Sequence, residues 1–271
     1  MNAKLWLAAA VFALLFASVS IGYAAGARKE GQMAYDGFNS PTGMAYDNNG
    51  ILYVSEWSCG RIVAIKDGNA SIVLEGLHLP SELAFDESDN LYIAGYGDGN
   101  IYIWDGKGRP QVLASGFSAP TGLSWSNDKN LLVANRNAGE LVEINADGRK
   151  KVISRGHKTP VGAVQTEDGH LFISCYGGSV DIVSPNGKIS SISTGLDTPG
   201  VGIIPAGSNS VYVVDYARGN IAHVNTSGVQ NIIAKDLLSP VALAMMPDKN
   251  LIVGCWGDNS LHIIPTLKGV K

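Results

Sequence analysis

Charge is scarce in this chain. Asp, Glu, Lys and Arg make up 16% of its 271 residues, and the formal net charge is only −4. Lys and Arg form no cluster, so the electrostatic footprint of a nucleic-acid binder is missing. Cysteine is scarcer still: Cys59, Cys175 and Cys255, with no C-x-x-C pair. Three cysteines cannot build a disulfide framework, and the odd number leaves at least one thiol free or paired with another molecule. No H-x-H pair occurs. Beyond the N-terminus no segment carries a helical apolar period, which removes helix bundles and leaves an all-β reading.

The one long apolar run opens the chain. Lys4 supplies a positive start, and Leu5 to Val19 is interrupted only by Ser18. Small residues follow and end in Ala25-Gly26-Ala27, the layout of a secretory signal peptide with an A-x-A cleavage site. The run is shorter than the roughly 20 residues of a spanning helix. An uncleaved anchor is the alternative. No Cys lies near the cleavage site, so a lipid anchor does not fit. The reading is a signal peptide over 1–27 and one domain over 28–271. That domain is expected in the periplasm or secreted, with no membrane contact after cleavage.

What is abundant is glycine, 33 residues spread evenly along the chain, and a repeat. The frame reads SPTGMAYD at 40–47, LPSELAFD at 79–86, APTGLSWS at 119–126 and TPVGAVQT at 159–166. It continues as GVGIIPAG at 200–207, where the proline has slipped to Pro199, and SPVALAMM at 239–246. The third residue after its small or apolar lead-in is Gly43, Glu82, Gly122, Gly162, Gly202 and Ala242, spaced 39 and then 40 apart. About ten residues later each copy carries a second apolar run, such as Leu52-Tyr53-Val54 or Leu171-Phe172-Ile173. A third run and a fourth complete the unit, with turn residues between them. Four short runs rich in β-branched and aromatic residues, in a unit of about 40 residues, are four strands of a propeller blade.

Six units predict a six-bladed β-propeller. Stacking in an open solenoid is the alternative, and it would need capped ends. The sixth unit ends near Pro265 with only three runs. Gly31–Phe38 (GQMAYDGF) precedes the first copy as Pro110–Phe117 (PQVLASGF) precedes the third. It is therefore expected to pair with the last blade and close the ring, removing two open sheet edges.

The frame Pro-x-Gly, then Asp/Asn-Gly/Asn-x-Leu-Tyr-Val, then Arg/Asn-Ile, resembles the NHL repeat. It is similar also to the wider group of six-bladed propellers that holds gluconolactonase, strictosidine-synthase-like and streptogramin-lyase proteins. The resemblance runs from Gly31 to about Pro265 and implies the fold. A site in such propellers is expected at the channel mouth, on the loops after each second strand and before each first strand. Gluconolactonase-like metal ligands would fall at Asn39 and at Thr42, Ser81, Thr121, Val161, Val201 and Val241. Of these only Asn39 is a credible ligand, and a hard cation wants several oxygens. Glu82 adds one carboxylate near the channel. The His distribution does not show the grouping a streptogramin lyase needs.

The ends of the second strands align as Glu56, Gly95, Asn135, Cys175, Asp215 and Cys255. The next residues align as Trp57, Tyr96, Arg136, Tyr176, Tyr216 and Trp256. Five aromatics and an arginine at one repeat position predict amphipathic walls around a shallow pocket for a small molecule, a peptide or a protein. Packing between blades is the alternative for each. The leading functional reading is a binding propeller using this ring. The rival is a metal-dependent lactonase or lyase, with Asn39, Glu56, Glu82 and Asp215 as its polar groups.

Three readings stand for the cysteines: buried free thiols, a Cys59–Cys255 disulfide across the closure with Cys175 free, or convergence of all three on a soft metal ion. His78 and His157, two blades apart, are expected as loop residues on the mouth side. Cys175 with His157 is the one thiol–imidazole pairing the repeat places on one blade and one face.

Overall fold

The computed structural model describes residues 33–266. They form 24 strands and two single-turn 3₁₀ helices, gathered into six four-stranded antiparallel sheets. Five sheets are continuous in sequence, at 41–74, 80–114, 120–155, 160–192 and 199–234. The sixth joins three strands within 240–264 to Met33–Tyr35, which pairs antiparallel with Ser260–Ile264. In that pairing Met33 lies opposite His262 and Tyr35 opposite Leu261. The expected leader, and the Gly31 end of the expected first strand, lie outside the described residues. Among the described residues no helix is long and apolar enough to cross a membrane.

The turns follow from the sequence. Asp47 accepts the N–H of Asn49 (3.0 Å) and of Ile51 (2.8 Å). Asp86 accepts those of Ser88 (2.9 Å) and Asn90 (2.8 Å) in the next blade. A carboxylate that binds its own backbone two and four residues on fixes a tight reversal between first and second strands.

The first strands surround the axis, each packed against the first strands of both neighbours. The frame glycine permits this. A Cβ on Gly43 would lie 2.3 Å from the Ser81 carbonyl oxygen, and one on Gly122 would lie 2.6 Å from the Gly162 Cα. No side chain fits at such distances, so at Gly43 and Gly122 the backbone meets the neighbouring strand directly.

Among the described residues six hydrophobic clusters lie one in each seam between neighbouring blades, and a seventh lies at the channel. Val54 and Met44 of blade one pack on Ala242 and Ile252 of blade six. Ile62 packs on Leu91 and Ile93 between blades one and two, and Phe172 on Val211 and Val213 between four and five. Each blade thus buries its faces on its neighbours rather than within itself, and burial at about 25 cal/mol per Å² rewards only the assembled ring.

A candidate binding site at the channel mouth

The site begins with a backbone device. Ser40, Leu79, Ala119, Thr159 and Ser239, each preceding the proline of an inner strand, hold φ between 51° and 59°. Side chains rarely adopt this left-handed region, and its repetition marks a constraint placed by the fold. The carbonyls of these residues accept the backbone N–H of Trp57 (3.2 Å), Tyr96 (3.2 Å), Arg136 (3.3 Å), Tyr176 (2.9 Å) and Trp256 (3.0 Å). In blade five Thr198 serves Tyr216 in the same way, at 2.8 Å. One hydrogen bond per blade therefore fixes the residue that follows each second strand.

The six side chains so placed touch in a closed circle. Trp57 lies 4.5 Å from Tyr96 and 6.1 Å from Trp256, centroid to centroid. Trp256 meets Tyr216 at 6.3 Å, and Tyr216 meets Tyr176 at 6.1 Å. Arg136 closes the circle, its guanidinium 5.9 Å from the ring centres of both Tyr96 and Tyr176. It also donates to the Tyr96 hydroxyl at 3.2 Å. The Trp256 indole N–H is held by the Pro41 carbonyl at 3.1 Å. Such tilted rings and flanked cations are mutually attractive by about 0.5–1.5 kcal/mol per contact.

All six line one pocket of about 210 Å³. Thr42, Thr121, Val161, Val201 and Val241 also line it, and the three valines form an apolar cluster with Tyr216 and Trp256. The threonine hydroxyls donate to the carbonyls of Ser40 (2.8 Å) and Ala119 (3.1 Å), leaving acceptor lone pairs. Burial pushes the Tyr176 phenol up, Tyr216 adds to the shift and Arg136 opposes it. Arg136 is the one formally charged side chain in the lining. A larger groove of about 440 Å³ opens at the opposite end, between blades two and three, under the exposed Lys129–Glu87 pair. It lies away from the ring, and its polar side chains pair with one another, Lys129 with Glu87 and the Tyr92 hydroxyl with Asp86.

The polar groups of the enzyme reading are not brought together. Glu56 is fully buried, accepts the Asn39 N–H at 2.7 Å and pairs with Arg61. Asp215 accepts the N–H groups of Asp197 (2.7 Å) and Thr198 (2.9 Å). Asn135 accepts that of Ser118 at 2.7 Å. These three side chains anchor the loops that enter blades one, three and five. Glu82, at the glycine position of blade two, accepts the N–H of Met44 and of Leu83, each at 3.1 Å. Burial pushes its carboxyl up to about 8 against those two donors. None of Asn39, Glu56, Glu82 or Asp215 lines the pocket. With threonine, serine and valine at the other positions, the residues present do not fit a hard cation at the channel centre.

The cysteine readings resolve in part. All three are free, Cys59 exposed and Cys175 and Cys255 buried, so the Cys59–Cys255 disulfide is overturned. The sulfurs do not converge either. Cys255 belongs to the core between blades five and six and Cys175 to that between three and four. Among the described residues each lies in a separate group of potential metal ligands, and neither group includes a second cysteine. His157 is also corrected. Its side chain is buried rather than set in an open loop, and it bridges Asp181 (Nδ1, 2.8 Å) and Ser154 (Nε2, 2.8 Å). His78 is exposed.

Cys175 and His157 do meet, but through Asp181, whose Oδ2 also accepts the Cys175 thiol at 3.5 Å. Burial and the Asp181 charge push that thiol far above its ordinary range, the reverse of an activated nucleophile. The repeat carried a signal for this cluster. His157 stands where the other copies have Phe38, Leu77, Phe117, Leu196 and Leu237. Asp181, opposite Ile173 in the sheet, takes the place that Val63, Val142 and Ala222 have in the odd blades, an equivalence set by strand register because the blade-four turn is one residue shorter.

No family model matches this chain, and no curated protein matches its sequence. Solved structures share its fold. A putative gluconolactonase superposes with a TM-score of 0.74 at 15% identity, over 89% of this chain and 94% of that one. A catalytically inactive virginiamycin B lyase from Staphylococcus aureus with quinupristin gives 0.67 at 16% identity, over 87% of each chain. A PQQ-bound aldose sugar dehydrogenase from Streptomyces coelicolor gives 0.70 at 16% identity, over 87% of this chain and 96% of that one. The likeness bears out the six-bladed propeller group suggested by the repeat, and at these identities it extends to the fold alone.

Proposed function

We propose that this chain is an exported binding propeller, closed by its N-terminal strand, whose ring pocket takes a small apolar molecule bearing an anionic group. The observation that carries the reading is the closed circle of Trp57, Tyr96, Arg136, Tyr176, Tyr216 and Trp256 around a pocket with a single cation. Five π faces favour a planar apolar body, and Arg136 supplies the fork that matches a carboxylate. The volume of about 210 Å³ is below the roughly 300–1,000 Å³ of ordinary ligand sites, which favours a fragment-sized ligand. Export rests on the N-terminal apolar run. Closure rests on the pairing of Met33–Tyr35 with the last strand. That neighbours of this fold include lyases and dehydrogenases adds no reaction here, because the polar residues are committed to loop anchoring.

The test uses Trp57 and Trp256 as built-in reporters. Aryl carboxylates such as benzoate and cinnamate, titrated against their primary amides, are expected to quench the intrinsic fluorescence saturably. Arg136→Ala is expected to weaken the acids by about tenfold or more, the value of a lost charge-assisted hydrogen bond, and to leave the amides nearly unchanged. Trp256→Ala is expected to weaken both. If the acids bind Arg136→Ala as they bind the parent, the anionic part of the reading fails. If nothing quenches, the small-molecule reading yields to a peptide or protein partner at this face.

A further inference from the structure

The second polar cluster beside a cysteine is open where the first is closed. In blade six, Cys255 ends the second strand, Asp258 stands in the following turn and His262 in the third strand. One potential ligand atom from each lies within 4.8 Å of the other two. His262 Nε2 meets Asp258 Oδ2 at 2.8 Å and the Ser260 hydroxyl at 2.7 Å, and that hydroxyl also meets Asp258 Oδ1 at 2.6 Å. Two further features point to a ligand. His262 Nδ1, on the side of the ring away from Asp258, is buried with no hydrogen-bond partner, so the imidazole is held at Nε2 alone. Asp258 and His262 form part of the wall of a groove of about 460 Å³ between blades five and six. Cys255, fully buried in the core between blades five and six, does not itself line the groove.

We propose that Cys255, Asp258 and His262 bind one borderline divalent cation, of the zinc class, in the seam between blades five and six. A thiolate, an imidazole and a carboxylate are the donor types of that class, and a thiolate donor disfavours magnesium and calcium. Tetrahedral bonds of roughly 2.0–2.3 Å require donors roughly 3.3–3.8 Å apart, so an ion enters by displacing the Ser260 hydroxyl and parting His262 Nε2 from Asp258 Oδ2, which lie 2.8 Å apart without it. The groove admits the fourth ligand, water. Binding releases the thiol proton to solvent, the sulfur then carrying its negative charge against the ion. The His157–Cys175–Asp181 group makes no such site, because both nitrogens of its imidazole are already bonded, to Asp181 and Ser154, whereas His262 is bonded at Nε2 alone.

The test is titration of the purified, reduced protein with Co²⁺ and then Zn²⁺. One Co²⁺ per chain is expected, with a near-ultraviolet sulfur-to-cobalt charge-transfer band that Zn²⁺ abolishes. Cys255→Ser is expected to remove the band, and Cys59→Ser and Cys175→Ser to retain it. Because Cys255 is fully buried, Asp258→Asn and His262→Gln are read beside it, each expected to weaken Co²⁺ by at least about tenfold with the fold intact by circular dichroism. Absence of the band, its persistence in folded His262→Gln, or its loss only in Cys59→Ser overturns the proposal.

Discussion

Blades four and six end their second strands on cysteine and seat it beside a carboxylate and an imidazole, yet by different routes. In blade four the histidine comes from the entering loop and the aspartate from the third strand. In blade six Leu237 holds the entering-loop position, His262 takes the third-strand position of Asp181, and Asp258 comes from the turn between the second and third strands. The difference changes what each cluster can do. Asp181 is saturated by His157, Ser179, Ser191 and Cys175, and His157 is closed at both nitrogens. His262 keeps one nitrogen unpartnered beside a groove. A fully connected buried network specifies how two blades meet, and one with a free donor atom is a site. Burial with the Asp258 charge pushes the Cys255 thiol up to about 12, so as a free thiol it too stays protonated.

The largest expected effect breaks the closed member of the pair. His157→Leu installs the residue type found at this position in the other blades and strands Asp181 in the seam. It should lower stability by about 2–4 kcal/mol, the cost of leaving a buried charge short of a partner. Adding Asp181→Val, the residue of blades one and three, should return stability to within about 1 kcal/mol of the parent, since a matched apolar pair is often neutral. Urea unfolding of the three proteins decides it. A double variant no better than the single one means that the network cannot be exchanged for apolar packing.

A smaller effect sharpens the comparison through pH. Burial raises the Asp181 carboxyl, but the hydrogen bonds from His157, Ser191 and Ser179 together outweigh it and the net shift is downward. A carboxyl lowered on folding stabilises above its unfolded value of about 3.9, and that contribution is lost as pH falls through the folded value. The parent should therefore lose thermal stability more steeply below about pH 4 than the His157→Leu/Asp181→Val protein. Parallel melting curves from pH 5 to 2.5 would show that Asp181 contributes nothing to the acid limb.

How much of this was legible in the sequence follows from what repeats. The blades, the seams and the mouth ring occupy one position per copy, and a spacing of 40 exposes them without knowledge of distant contacts. Single departures from the repeat are harder to read, because their partners come from other elements. His157 reads as a loop histidine until Ser154 of one blade and Asp181 of the next are placed on its two nitrogens. Glu56 and Asp215 read as polar groups of an enzyme site, whereas they, like Asn135, turn inward to bind loop N–H groups. Their alternation with Gly95, Cys175 and Cys255 was visible in the alignment, but the matching alternation of Val63, Val142 and Ala222 with Tyr102, Asp181 and His262 emerges only from strand register, because the turn before Asp181 is one residue shorter. The meaning of both lay in the seams, which only the three-dimensional pairing supplies.

The smallest expected effect is the most diagnostic. His262→Leu repeats, in the open cluster, the substitution made in the closed one. There the lost imidazole leaves Asp258 and Ser260 bonded to each other and bordering a groove that water can enter, so no charge is stranded. The variant should cost about 1 kcal/mol or less in metal-free buffer, the net worth of an ordinary hydrogen bond. Saturating Zn²⁺ should then raise the melting temperature of the parent and not that of the variant, since a ligand stabilises only the state that binds it. A cost matching that of His157→Leu would mean that the blade-six seam is as closed as its counterpart, and the distinction between network and site would fall with it.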